Sequence, residues 1–189
     1  MLQQETGRNI PYVHCFNHRL HLVVVDAISA VKDLSIYFDH CRVLFQFFKR
    51  PKVAEKYQGA HLHRLMPHRW SGHFQTTKSI IENYDEICSV LKDISSETIR
   101  DLDILVEATG LLQIVFANKF CFFARVAKQI LGLLAPADQQ MQSRECNLAS
   151  SIKLIDAAAD SLEELRTDFF SKNFTKRQSK QRNRKMGHH

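Results

Sequence analysis

Glycine and proline are both scarce in this chain, 6 and 4 residues among 189. So few breakers exclude collagen-like and loop-built folds and favour helices over turn-rich sheets. No Gly/Ser linker, low-complexity body or internal repeat divides the sequence. No long run is free of polar groups: the most apolar stretch, Leu111 to Ala135, carries Gln113, Asn118, Lys119, Arg125, Lys128 and Gln129. Such groups are expensive at the centre of a bilayer, so no membrane partner is expected. The opening Met1-Leu2-Gln3-Gln4-Glu5 is polar and unlike a secretory leader. The five cysteines, Cys15, Cys41, Cys88, Cys121 and Cys146, are odd in number and widely spaced. Cys41, Cys88 and Cys121 sit among apolar residues, as buried free thiols do, and the expectation is a reduced, intracellular protein. A P-loop, a nucleophile elbow and paired catalytic carboxylates are all missing. Neither a cofactor nor a small-molecule substrate is expected.

What is present is a globular composition, 44% hydrophobic and 24% charged, in a length that suits one domain with a real core. The net charge of +6 is unevenly spread. Residues 1–78 hold 11 Lys/Arg against 5 Asp/Glu and eight of the ten His; residues 79–171 hold 8 against 15; residues 172–189 hold 7 against none. The concentration of Lys, Arg and His in the first third points to an anionic partner more specifically than the overall pI does.

The period of the apolar residues lays out the elements. Residues 9–15, with Pro11 and Tyr12-Val13, read as a short strand. From Asn17, a plausible N-cap, Leu20, Val23, Val24, Ala27, Ile28 and Val31 fall at helical spacing. Leu34, Phe38, Cys41, Phe45 and Phe48 make a second helix that Pro51 stops. Residues 50–75 have no clean period and read as a long basic loop, functional or disordered. Ile80, Tyr84, Ile87, Leu91 and Ile94 form the next stripe, with Ser79-x-x-Glu82 as a capping box. Residues 97–134 read as one long central helix, bent near Gly110 and ended by Pro136. Leu148, Ile152, Ile155, Ala159, Leu162, Leu165 and Phe169 make the last amphipathic helix, and order is expected to end after Phe170.

Two clusters carry chemistry. The first is Tyr12-Val13-His14-Cys15-Phe16-Asn17-His18-Arg19-Leu20-His21-Leu22-Val23-Val24, a strand entering a helix. Cys15 and His18 are three apart and share one side of a helical turn. Such a helix start, with His18 and Arg19, attracts phosphate. Zinc would need four ligands, and no second tight pair accompanies Cys-x-x-His. A packed Cys15/His18 pair at a strand–helix junction is the plainer alternative. The second cluster is Met66-Pro67-His68-Arg69-Trp70-Ser71. The lone Trp70 beside Arg69 suits stacking on an unpaired base with a phosphate clamp. It suits equally an aromatic anchor that pins a loop to the core.

Taken in order, Cys15, His18, Leu20, Leu22, Val23 and Val24, then Phe47-Phe48, then Arg69-Trp70-Ser71, the chain resembles the middle of hAT-family transposases and their domesticated relatives, including the zinc finger MYM-type proteins. Residues 2–94 carry the resemblance. It implies an RNase H-like catalytic core, whose two Asp and one Glu hold divalent metal for DNA strand cleavage, interrupted by a large helical insertion. By that mapping residues 1–16 end the core, residues 17–171 belong to the insertion and residues 172–189 form a basic, disordered tail. The fold expected is therefore mainly α after a short N-terminal strand. Glu5, Asp26, Asp33, Asp39 and Glu55 match no metal-binding motif, so the chain alone is expected to be catalytically inert. The resemblance makes Cys15, His18, Arg19, Arg69 and Trp70 the DNA-contacting residues of a nuclear protein. The competing reading is a helical protein–protein or self-association module, in which Cys15, His18 and Trp70 are purely structural.

Overall fold

A computed structural model describes residues 16–96, 101–143, 147 and 149–167. The strand expected over 9–15, the side chain of Cys15 and the basic tail 172–189 lie outside the described residues. Among the described residues there are eight helices and no strand: α1 (Phe16–Ala30), α2 (Lys32–Phe48), the single turn α3 (Pro51–Ala54), α4 (Trp70–Glu82), α5 (Tyr84–Ser96), α6 (Leu102–Phe116), α7 (Asn118–Gln142) and α8 (149–167). They fall into two compact units divided between Ala127 and Lys128, with α7 running through the division.

In the first unit α2 contributes Tyr37, Cys41, Leu44 and Phe47, all at most 2% exposed. Around them pack Trp70, Thr76 and Thr77 of α4, Ile87, Leu91 and Ile94 of α5, Ala108, Leu111 and Val115 of α6, and Phe120 of α7. Each aliphatic or Phe side chain so buried is worth about 1.5–3 kcal/mol. The α2 face turns slightly from the expected one: Tyr37, Leu44 and Phe47 join Phe38, Cys41 and Phe48 in the core, while Phe45 is half-buried. Tyr37 packs against Phe120 with centroids 5.1 Å apart, and its hydroxyl donates to Thr77 Oγ1 at 3.3 Å. Burial pushes the Cys41 thiol up to about 12, so it stays a packed, inert thiol.

Several expected boundaries move. α1 is described from Phe16 on, so Asn17 lies inside it rather than capping it. Its buried residues are His21 and Ile28; Val23 is 65% exposed. Pro51 does not merely stop α2. It opens α3 from the first helical position, where a missing N–H costs nothing. Ser79 is interior to α4 and starts no capping box; its hydroxyl donates to the Thr76 carbonyl at 2.9 Å.

The long helix expected over 97–134 is two helices, and the break is at Ala117 rather than Gly110. Ala117 is extended (φ −63°, ψ 130°), and its carbonyl accepts from the Phe120 N–H that starts α7. The Val115 carbonyl left over at the end of α6 accepts the Tyr84 hydroxyl at 3.1 Å, so a side chain from α5 makes the break affordable. Nor is α6 buried throughout, for Leu102 and Val106 are 69% and 67% exposed.

In the second unit α7 continues through Pro136 to Gln142. The carbonyl that loses its partner belongs to Gly132, the residue that tilts with least steric resistance. By length and composition α7 is the one described helix apolar enough to cross a membrane. Its burial at Phe120, Ala124, Ala127, Leu131 and Leu134, with Lys119, Arg125 and Lys128 exposed, is the pattern of an amphipathic core helix. In α8 the buried residues are Ser151 and Ala158, one step off the expected stripe, and Ile152 is exposed.

Candidate nucleic-acid interface

The two sequence clusters meet through a residue that neither reading singled out. His21, one turn beyond His18 on α1, is 6% exposed and faces the Trp70 ring, with centroids 5.9 Å apart. This contact packs α1 against the first residue of α4. Nothing in the sequence separates His21 from His18; only the packing of α1 on α4 turns one inward and leaves the other exposed.

Trp70 is not on a loop. It is the first residue of α4 and 1% exposed, so both faces of its ring are occupied by protein. The placement fits the anchor alternative and leaves no face open to a base in this conformation. Its indole Nε1 finds no acceptor among the described residues, a cost the apolar contacts of the ring must offset.

Arg69 holds the N-cap position of α4 in an extended conformation (φ −134°, ψ 114°). Its carbonyl accepts the Gly72 N–H at 2.9 Å and lies 3.1 Å from His73 Nδ1, which must carry the hydrogen because the partner is a carbonyl. The backbone of Arg69 is thus fixed while its side chain is exposed. His73 packs edge-on against Phe38 with centroids 4.6 Å apart, and burial lowers its pKa, partly offset by the bond to Arg69.

The basic segment before α4 is pinned rather than loose. The Asn83 side chain accepts the Ala60 N–H at 2.7 Å and donates to the Ser79 carbonyl at 2.8 Å. Glu86 accepts the Gln58 N–H at 3.0 Å, and Ser79 Oγ accepts the His63 N–H at 3.2 Å. The Thr76 hydroxyl donates to the His63 carbonyl at 3.1 Å, and Leu62 is buried. Two glycines permit the close path. A Cβ at Gly59 would sit 2.4 Å from the Tyr57 hydroxyl, and one at Gly72 would sit 2.8 Å from Met66 Cβ and 3.0 Å from Met66 N. With its backbone held, the segment leaves His61, His63, Arg64, His68 and Arg69 exposed. Sequence reasoning missed Asn83, Gly59 and Gly72. The glycines were visible as loop markers, but their role depends on what lies opposite.

His18 and Arg19 are exposed on α1. Whether Cys15 joins His18 falls outside the described residues. Among the described residues no three His, Cys, Asp or Glu side chains converge to hold a metal ion. The chemistry this arrangement offers is binding of anions: the exposed guanidinium groups of Arg19, Arg64 and Arg69 with the exposed imidazoles of His18, His61, His63 and His68.

No family model matches the chain, and no solved structure matches it. The likeness to hAT transposases stands on the residues quoted above.

Proposed function

We propose that this chain is a helical, DNA-contacting scaffold related to the insertion of hAT-family transposases, working without catalytic carboxylates of its own and in the nucleus. The observation that carries the reading is the His21–Trp70 contact, which packs α1 against the first residue of α4, with Arg19 and Arg69 exposed. Phosphates are the ligands these side chains suit, because guanidinium groups bind them through N–H donors. The resemblance supplies the DNA. Within it, Trp70 acts by fixing the start of α4, and so the position of Arg69, rather than by stacking on a base. Cys15 and His18 keep the place the resemblance gives them, at the entry to α1.

Fluorescence anisotropy with duplex and hairpin DNA over a range of salt tests the proposal. Binding should weaken steeply with salt. Arg19→Ala and Arg69→Ala should each flatten the slope of log K against log salt by about 0.9, equally for both DNAs. Binding that is absent at low salt, or that neither substitution alters, would sink the reading.

A further inference from the structure

His61-Leu62-His63 lies in a stretch that is neither helix nor turn. Its burial alternates as in extended chain, whose successive side chains point to opposite sides. Leu62 is buried, and His61 and His63 are both exposed. The backbone that carries them is held at three points. Asn83 Oδ1 accepts the Ala60 N–H at 2.7 Å, Ser79 Oγ accepts the His63 N–H at 3.2 Å, and the Thr76 hydroxyl donates to the His63 carbonyl at 3.1 Å. Two imidazoles are thus presented together on a fixed support, with ring centroids 5.2 Å apart and planes at 80°. Among the described residues neither ring has a hydrogen bond, an ion pair or a second ring contact.

This spacing is that of two rings on one metal ion. A divalent ion such as zinc sits about 2.0–2.1 Å from an imidazole nitrogen. The ring centroid lies roughly 1.1 Å beyond that nitrogen, so two rings at the tetrahedral angle have centroids about 5.2 Å apart. Because neither ring is hydrogen-bonded, turning a nitrogen of each toward a common ion breaks no existing bond. The pair lines a cleft of about 230 Å³ together with Gln75, Lys78 and Glu82. Lys78 and Glu82 stand 3.9 Å apart with opposite charges, so between them they set no net charge against a cation.

We propose that His61 and His63 together bind one divalent transition-metal ion of the kind that favours imidazole, with zinc as its representative. Imidazole nitrogens suit Zn²⁺, Ni²⁺ and Cu²⁺, whereas Mg²⁺ and Ca²⁺ take oxygen ligands, so the pair selects the first group over the second. Among the described residues no third His, Cys, Asp or Glu converges on the pair. Water therefore fills the other coordination positions, and the site is open and exchangeable rather than a closed structural one. The affinity expected is micromolar, well short of the closed four-ligand sites that hold small domains together. The pair holds its ion whether or not DNA is bound.

Isothermal titration of ZnCl₂ into the full chain, under reducing conditions and without DNA, tests this. Wild type should bind one Zn²⁺ per chain at this site with a micromolar Kd, and millimolar Mg²⁺ should not compete. His61→Gln and His63→Gln should each weaken that binding about tenfold or more, because the second imidazole acts at high effective concentration. His68→Gln should leave it unchanged. Lys78→Gln should tighten it by about two- to threefold, since a positive charge leaves the cleft. Without zinc all four variants should melt with wild type, because the substituted side chains are exposed, and a lost site is then not a lost fold. Zinc titrations of His61→Gln and His63→Gln that superimpose on wild type overturn the proposal. So does a cleft that binds inorganic phosphate and loses both phosphate and zinc in Lys78→Gln, for it would be an anion site. As no DNA is present, neither result bears on the nucleic-acid interface.

Discussion

Trp70 and His21 seal the joint between α1 and α4, and the indole is almost wholly enclosed. Trp70→Ala should therefore act first on stability, by about 3–5 kcal/mol, the usual cost of emptying a large aromatic site. Thermal melting and DNA binding measured on one preparation separate the roles. The melting temperature should fall, and below it the preference between hairpin and paired duplex should not change. A normal melting curve with a ten- to hundredfold loss of hairpin binding, about what a lost stacked base produces, would restore the stacking role. His73 gives a second test. Burial holds its folded pKa below the ordinary 6.5, so the unfolded chain takes up a proton that the folded chain refuses. Its contribution is fully present above about pH 6.5 and is lost as pH falls toward the lower folded value, at up to about 1.4 kcal/mol per pH unit. Denaturant midpoints at pH 7.5, 6.5 and 5.5 should fall in wild type, and the fall should be shallower in His73→Gln. Equal slopes in the two proteins would show that His73 is not the group responsible.

The helices themselves were legible where their apolar residues recur every three or four positions: the signal survives best in α5, with Ile87, Leu91 and Ile94 buried, turns by a step in α2, and fails for α4, half of which lies in residues read as a loop without period. The ends were less so. Chain breaks at Val31, Asn83 and Ala117 involve neither glycine nor proline, whereas Gly110 and Pro136 lie inside helices. What decides these ends is capping from elsewhere in the fold, which a local pattern does not contain. Asn83 ends α4 while holding Ala60 from the basic segment, and Tyr84 satisfies Val115 at the end of α6 from a helix away. Tyr84→Phe should then leave the Val115 carbonyl with only the weak Cys121 thiol, at 3.6 Å. About 1–3 kcal/mol of stability should go with it, while total helix content stays the same. Chemical denaturation followed by circular dichroism measures both. An unchanged midpoint would mean that water replaces the phenol at no cost, and that the α6–α7 break is held by packing alone.

On the scale of the whole molecule, the basic first third was plain in the sequence, and its Arg19 and Arg69 were named there; that His21 meets Trp70 was not, because the two are 49 residues apart. The exposure of Leu102 and Val106 on α6 was hidden for a related reason: an all-round apolar helix reads as buried in sequence alone. Four acids of the first unit stand in ion pairs, Asp33 with Lys119 at 2.7 Å, Asp39 with Arg42 at 2.9 Å, Asp101 with Lys52 at 3.0 Å and Glu107 with Arg50. Exposed pairs of this kind add little stability, but they bear on chemistry. Cleaving a phosphodiester in the manner of the family needs carboxylates that converge on divalent metal, so that the metal can polarise the phosphoryl group and activate the attacking oxygen. A carboxylate already neutralised by its own Lys or Arg is poorly placed to join such a set. The outcome expected on labelled duplex or hairpin DNA with Mg²⁺ or Mn²⁺ is salt-dependent binding without nicking or strand transfer. Nicking that co-purifies with the chain through successive columns, and that is lost in a variant of any one of these acids, would show that the chain assembles a metal centre on DNA and would overturn its assignment as a scaffold.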